Sequence, residues 1–338
     1  MPMHRREKYQ MKKTVITLML CLCAGACLGG EACAQELVVG GQAVGIQVKS
    51  EGVLVAGLSM VETDEGEKCP AESAGLKKGD LITALDGARV ADAAELIERL
   101  AASEGAGAVL TVQRDGRTIR CTVQPVKSRE GQWMLGMWLR DGVSGIGTLT
   151  FCDPATGIYG ALGHGISESG GTTALREGSI TDAEIVSITP GTPGTPGELN
   201  GCADVGRVLG SVEQNTAHGI FGRAYAALGT RRVETGEIKT GPAKIVSTIK
   251  GRQAKEYDIE INRIYRDAQG EHVMLSVVDA ELCAETGGIV QGMSGSPILQ
   301  EGKLVGAVTH VFVNDPRRGY GVSIQDMLAS AGVTDKAA

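Results

Sequence analysis

Glycine interrupts this chain every few residues. There are 49 glycines in 338 residues, and aromatic residues make up only 3 %. Between the glycines lie short runs in which apolar and polar residues alternate. Glycine inside a helix costs roughly 1 kcal/mol relative to alanine, whereas alternation with a period of two is what a half-buried strand needs. The pattern therefore predicts a mainly β protein of short strands and tight turns, of barrel or sandwich type. The length predicts two domains once a leader is set aside.

The leader is legible at residues 1–34. Arg5, Arg6, Lys8, Lys12 and Lys13 precede an apolar run, Thr14 to Leu28, that is short for a membrane span. Ala32-Cys33-Ala34 then offers a small-x-small cleavage site before Gln35. The segment reads as an export signal or as an N-terminal membrane anchor. A net charge of -7 argues against a nucleic-acid footprint, which needs a basic stripe. Outside the leader, Cys69, Cys121, Cys152, Cys202 and Cys283 are scattered without a Cys-x-x-Cys pair. They read as small buried apolar residues, and no metal or cofactor is expected.

Residues 36–126 read as a first unit. Val44-Gly45-Ile46-Gln47-Val48 and Gly52-Val53-Leu54-Val55 are strand candidates, as is Leu81 to Leu85. Asp92 to Ala102 is an amphipathic helix that Asp92 can cap, with Glu95 three residues on as in a capping box. Val109–Val112 and Thr118–Val123 form a hairpin across Asp115-Gly116. Residues 127–143 read as a junction, with the alternation from Trp133 to Leu139 starting the second unit. From 144 to 332 short strands follow one another between glycine turns, with a closing helix near 326–330 and a loose tail over 333–338.

Two stretches of this second unit carry chemistry. Gly292-Met293-Ser294-Gly295-Ser296-Pro297 sets a serine between glycines, where small neighbours let backbone N–H groups turn toward one point, as an oxyanion hole requires. Gly160-Ala161-Leu162-Gly163-His164-Gly165 frames a histidine in the same way, and a serine nucleophile needs such a base. His164 before Ser294 is the chain order of trypsin-like proteases. Spacing alone leaves Asp182, Asp204 and Asp258 open as an acidic partner, as well as a Ser–His dyad. His310 reads as a structural histidine in an apolar strand, Ser296 as pocket floor, and His272 as a surface strand start. His218 could shape a cleft.

The wording Pro70-Ala71-Glu72-Ser73-Ala74-Gly75-Leu76-Lys77-Lys78-Gly79-Asp80-Leu81-Ile82 resembles a PDZ domain of the bacterial protease-associated type. Such domains bind an extended peptide by adding it to a sheet edge beside a helix. The resemblance implies that Gly45 and Ile46 greet a peptide carboxylate. It implies a groove between Gln47-Val48 and the helix residues Leu96 and Leu100, although the latter two serve equally well as core.

Beyond the leader, the whole chain resembles the stage IV sporulation protein B family, the PDZ-bearing serine peptidases of family S55. The strings that carry this are Gly160–His164, Thr286–Pro297 and Gly306–Pro316. The resemblance implies a trypsin-like double β-barrel behind the PDZ domain. It implies Ser294 as nucleophile, His164 as base, Asp279 as third member, and Gly292 and Ser294 as oxyanion donors. It further implies an enzyme exported from the forespore to the intermembrane space. There it would cleave itself and then the regulatory subunit of an intramembrane metalloprotease complex, which leads to activation of sigma-K. Its PDZ domain would bind partner peptides and its own chain. The competing expectation is a PDZ adaptor with an inactive peptidase-like barrel.

Overall fold

The structure is a computed structural model, and it describes residues 35–168, 171–172 and 175–333. The leader read at 1–34 and the tail beyond 333 lie outside the described residues.

Two strands of sixteen residues each, Ala43–Leu58 and Met137–Cys152, organise the molecule. They run antiparallel from Ala43 opposite Thr148 to Leu58 opposite Met137. The ladder breaks where Gly142 follows Arg140 across from Lys49 and Leu54, so residues 50–53 bulge out. There Ser50 Oγ reaches the carbonyls of Gly52 at 2.9 Å and Asp141 at 3.3 Å. On one side of this joint the ribbon belongs to a barrel, and on the other to the PDZ unit.

The barrel half closes through six strands. Ala43–Leu58 pairs with Met137–Cys152, which pairs with Ile158–Ala161. The ring continues through Gly219–Ala224, Glu198–Thr216 and Leu175–Thr189 back to Ala43–Leu58. Its interior holds Val44, Ile46, Val48, Leu149, Tyr159 and Ile180. A second closed barrel runs Gly241–Ser247, Lys255–Asp267, Gly270–Val277, Asp315–Ser323, Lys303–Phe312, Pro297–Gln300. Helix Ile324–Ser330 closes the chain, and His218 ties it to the first barrel by a 2.8 Å bond between Nδ1 and Ser330 Oγ.

The PDZ unit lies between the two ribbon strands in sequence. Its sheet runs from the outer half of Ala43–Leu58 through Leu81–Leu85, Ala108–Arg114 and Arg117–Val123. Helix Ala93–Ala102 covers it, capped by Asp92 Oδ1 accepting from Glu95 N. Glu95 reaches back to the N–H of Ala91, and Asp141 accepts from Ala93 N at 2.6 Å, so the ribbon also holds the helix start. Asp80 is buried and takes a two-pronged grip from Arg114 at 2.6 Å on each oxygen, plus the N–H of Lys77.

The structure refines three expectations. The stretch 36–50, read as the start of the PDZ unit, pairs as strands of the first barrel, and its second strand has both edges taken: Gly45–Val48 pairs with Ile146–Val143 on one side and with Thr181–Gly178 on the other. A strand with no free edge cannot accept a peptide strand. A Cβ at Gly45 would stand 2.4 Å from Ala203 Cβ, so this glycine is there for close packing. Leu96 and Leu100 point into the PDZ core with Val53, Ile82, Leu110 and Leu139 rather than into a groove. Residues 127–143, read as a junction and the start of the second unit, complete a short hairpin, Val126–Lys127 with Trp133–Met134, and then enter the ribbon.

Candidate active site

A cleft of about 510 Å³ lies where the barrels meet. The first barrel contributes Ile46, Ile146, Leu162 and His164, and the second contributes Ile289, Gly292, Ser294 and His310. His164 and Ser294, far apart in sequence, thus stand on one site. Its other walls are mostly aliphatic, with Ser167, Gln291 and Thr309 among them, and among the described residues no Asp, Glu, Lys or Arg lines it.

The serine turn is stiffly held. Gly292 and Gly295 have φ of +95° and +94°, a region that disfavours other residues. At Gly295 a Cβ would also meet Thr148 O at 2.1 Å, so only glycine fits. Met293 is buried in the second core. Ser296, expected as pocket floor, is instead fully buried behind the turn, donating to Met293 O at 2.7 Å beside Ser247 Oγ at 3.0 Å. Among the described residues no acceptor meets the N–H of Gly292 or of Ser294. Those two donors flank Met293 and remain free for a developing oxyanion.

The histidine turn follows strand Ile158–Ala161. Leu162 sits at φ +71°, a strained setting for a branched residue, of the kind that clusters at active sites. Asn215 then bonds both backbone groups of Ile166 at 2.8 Å. His164 Nδ1 lies 2.9 Å from Gly165 O. A carbonyl only accepts, so Nδ1 carries the proton and Nε2 is left as the basic nitrogen. Desolvation in the cleft pushes the His164 pKa down, and the bond to Gly165 opposes this. The ring is neutral near pH 7, which suits a base.

Asp279 is not at this site. It caps helix Ala280–Thr286, with Oδ1 accepting from Leu282 N at 2.9 Å and Oδ2 from Asp258 N at 3.2 Å. It lines a separate depression with Val278, Cys283 and Arg317. The other three carboxylates are also engaged elsewhere. Asp182 pairs with Arg207 and Arg252, Asp204 accepts from Gly206 N, and Asp258 pairs with Lys244. Among the described residues no carboxylate bonds His164, and the tautomer is set by a backbone carbonyl.

Sequence reasoning missed His310 as a site residue. It lies on a bulge in strand Lys303–Phe312, where Val308 pairs with Gly321 but Val311 with Gly319, three residues opposite two. The bulge turns His310 into the cleft, its ring 4.3 Å from that of His164 at 32°. Desolvation and then the neighbouring His164 push its pKa down to about 4. The residue before it, Thr309, accepts the Ser294 hydroxyl at 2.6 Å through its carbonyl. Nothing in the local pattern of an apolar strand announces such a bulge.

Fold and site together define a serine endopeptidase of two β-barrels that carries a PDZ domain. Residues 131–328 match the SpoIVB peptidase S55 family and residues 43–124 match the PDZ domain. The chain belongs to the SpoIVB peptidase S55 family. No curated protein matches it. Among solved structures it is similar to the active form of the Rv3671c protease from M. tuberculosis, with 14 % identity, 58 % of this chain and 78 % of that chain covered, and a TM-score of 0.32. It is also similar to the thermostable serine protease AL20 from an extremophilic microorganism, with 10 % identity, 57 % and 92 % covered, and a TM-score of 0.35.

Proposed function

We propose that this peptidase acts in sporulation signalling: exported from the forespore, it cleaves itself and then a regulatory subunit of an intramembrane metalloprotease complex, leading to activation of sigma-K. Family membership and the export-type leader read in residues 1–34 support this reading. The observation that carries the chemistry is that His164 and Ser294, from different barrels, share one cleft beside two unpaired backbone donors.

In this proposal the Ser294 hydroxyl leaves Thr309 O and turns toward His164 Nε2. As Oγ bonds to the substrate carbonyl carbon, Nε2 takes the hydroxyl proton. The N–H groups of Gly292 and Ser294 receive the charge on the carbonyl oxygen. The imidazolium then gives its proton to the departing amine, and water repeats the sequence to release the acyl group. One oxyanion donor is worth roughly 10²–10³-fold and a general base roughly 10²–10⁴-fold. The aliphatic walls favour substrates with apolar side chains at the scissile bond. The PDZ domain takes extended segments of partners or of its own chain.

The test is self-processing of chain lacking residues 1–34, beside Ser294→Ala, with a fluorophosphonate probe. Shortening and labelling of the parent alone support the peptidase. Identical behaviour of both proteins, with no label on either, supports the adaptor.

A further inference from the structure

Thr148 spends every polar group it has on the two catalytic turns. It is 1 % exposed. Its Oγ1 donates to Gly292 O at 2.8 Å, its N–H donates to Ser294 O at 3.0 Å, and its carbonyl accepts from Leu162 N at 3.3 Å. The first two bonds grip the serine turn from both sides of Met293. The third grips the strained Leu162, two residues before His164. Two strand positions on, Thr150 Oγ1 donates to Gly295 O at 2.8 Å and repeats the grip on the serine side only.

We propose that Thr148 is a positioning residue that sets the spacing of His164 from Ser294, and that its strand carries this spacing to the PDZ domain. The inference rests on the peptidase reading above. The two turns come from different barrels, and barrel interfaces can slide. A single residue bonded to both turns removes that freedom where it matters. Displacing reacting groups by about 1 Å costs roughly 10²-fold in rate. The strand that bears Thr148 is Met137–Cys152, whose far end pairs with the PDZ sheet and holds the start of the PDZ helix through Asp141. A shift of the PDZ unit along the ribbon therefore reaches the nucleophile without crossing a loop.

The experiment compares Thr148→Val, which keeps shape and loses the Oγ1 donor, with Thr148→Ser, which keeps the donor. Both are made in chain lacking residues 1–34, and kcat and KM are read on one peptide along with the melting temperature. The expected result is a kcat about 10–100-fold lower in Thr148→Val, an unchanged KM, and recovery of most of the loss in Thr148→Ser. Should the valine variant not fold, Thr148→Cys, with its weak donor, takes its place in the same comparison. Parent-like kcat in the folded variant, a loss confined to KM, or a serine variant as slow as the valine one overturns the proposal. Failure of the parent to label with fluorophosphonate at Ser294 would instead overturn the peptidase reading beneath it.

Discussion

The Ser294 hydroxyl donates to the carbonyl oxygen of Thr309 at 2.6 Å, not to His164. Thr309 and His310 share one bulge, so the same backbone irregularity parks the nucleophile and lays the His310 ring against its base. The resting site is assembled but not engaged. Thr148 bonds the backbone of both turns, so the serine and histidine segments are held while the hydroxyl changes partner.

Replacement of Asp279 should leave catalysis almost untouched. Its carboxylate serves two backbone N–H groups at a helix start. Asp279→Asn, another good cap, should retain stability and kcat within a few-fold. Asp279→Ala should cost about 1 kcal/mol of stability. A triad acid behaves differently, losing roughly 10⁴ in kcat on conversion to Asn. Melting temperature and kcat on the same samples decide between the two, and a 10⁴-fold loss in a fully stable Asn variant would sink the assignment.

The pH profile should place the acid limb of kcat/KM below the ordinary histidine value of about 6.5, because burial lowers the His164 pKa. Activity is present while Nε2 is unprotonated and is lost as pH falls through that lowered value. His310→Ala, which opens the cleft to water, should move the limb back up. An unmoved or lower limb in that variant contradicts the desolvation account. His310 also links stability to pH. Between about 6.5 in the unfolded chain and about 4 in the folded one, only the unfolded chain binds the proton. Stability from this group is whole above about 6.5 and declines as pH drops through that window.

Two substitutions aimed at the PDZ unit by sequence should act in different places. Leu96→Ala empties a core position and should cost about 2–5 kcal/mol within the PDZ domain. Gly45→Val forces a side chain against Ala203 and Thr181 Oγ1 in the first barrel, and should reduce peptidase activity directly. Hydrogen exchange resolves the two: protection should fall first over residues 53–123 in the former and over 175–212 in the latter. The reverse assignment would place Gly45 back in the PDZ domain.

A peptidase fragment begun at residue 127 should not fold to an active form, since it lacks the barrel strand beginning at Ala43. Adding residues 36–50 as a separate peptide, or joining residue 50 to residue 142 through a short turn, should restore labelling by fluorophosphonate. Activity in the bare fragment would show that the barrel closes without that strand.

Much of the fold and the site is legible in the sequence alone. The helix at 93–102, its Asp92 cap and the hairpin at Asp115-Gly116 follow from local chemistry and stand where the pattern put them. The two glycine-framed turns at His164 and Ser294 were visible because tight turns write themselves into composition. What was not visible was pairing. Whether Gly45–Val48 lies in a PDZ groove or in a barrel depends on which distant strands cover its edges, and alternation reads the same either way. Asp279 is hard to read for a related reason: a cap and a triad acid are both an aspartate near a turn, and only its partners distinguish them. Thr148, Thr150 and His310 act through contacts across barrels, which leave no local periodicity.

The ribbon has one more consequence, and it concerns the order of events in folding. Ala43 and Thr148 are neighbours in space but lie a whole domain apart in the chain. Closing a disordered loop of that length carries an entropic penalty and slows the pairing of its ends. Once the PDZ unit has formed, that loop is replaced by a compact body whose two ends emerge side by side and in register. The PDZ domain then acts as the turn of one very large β-hairpin, and the first barrel can grow from it. A lesion confined to the PDZ core should therefore lower the yield of active enzyme even when each folded molecule works normally.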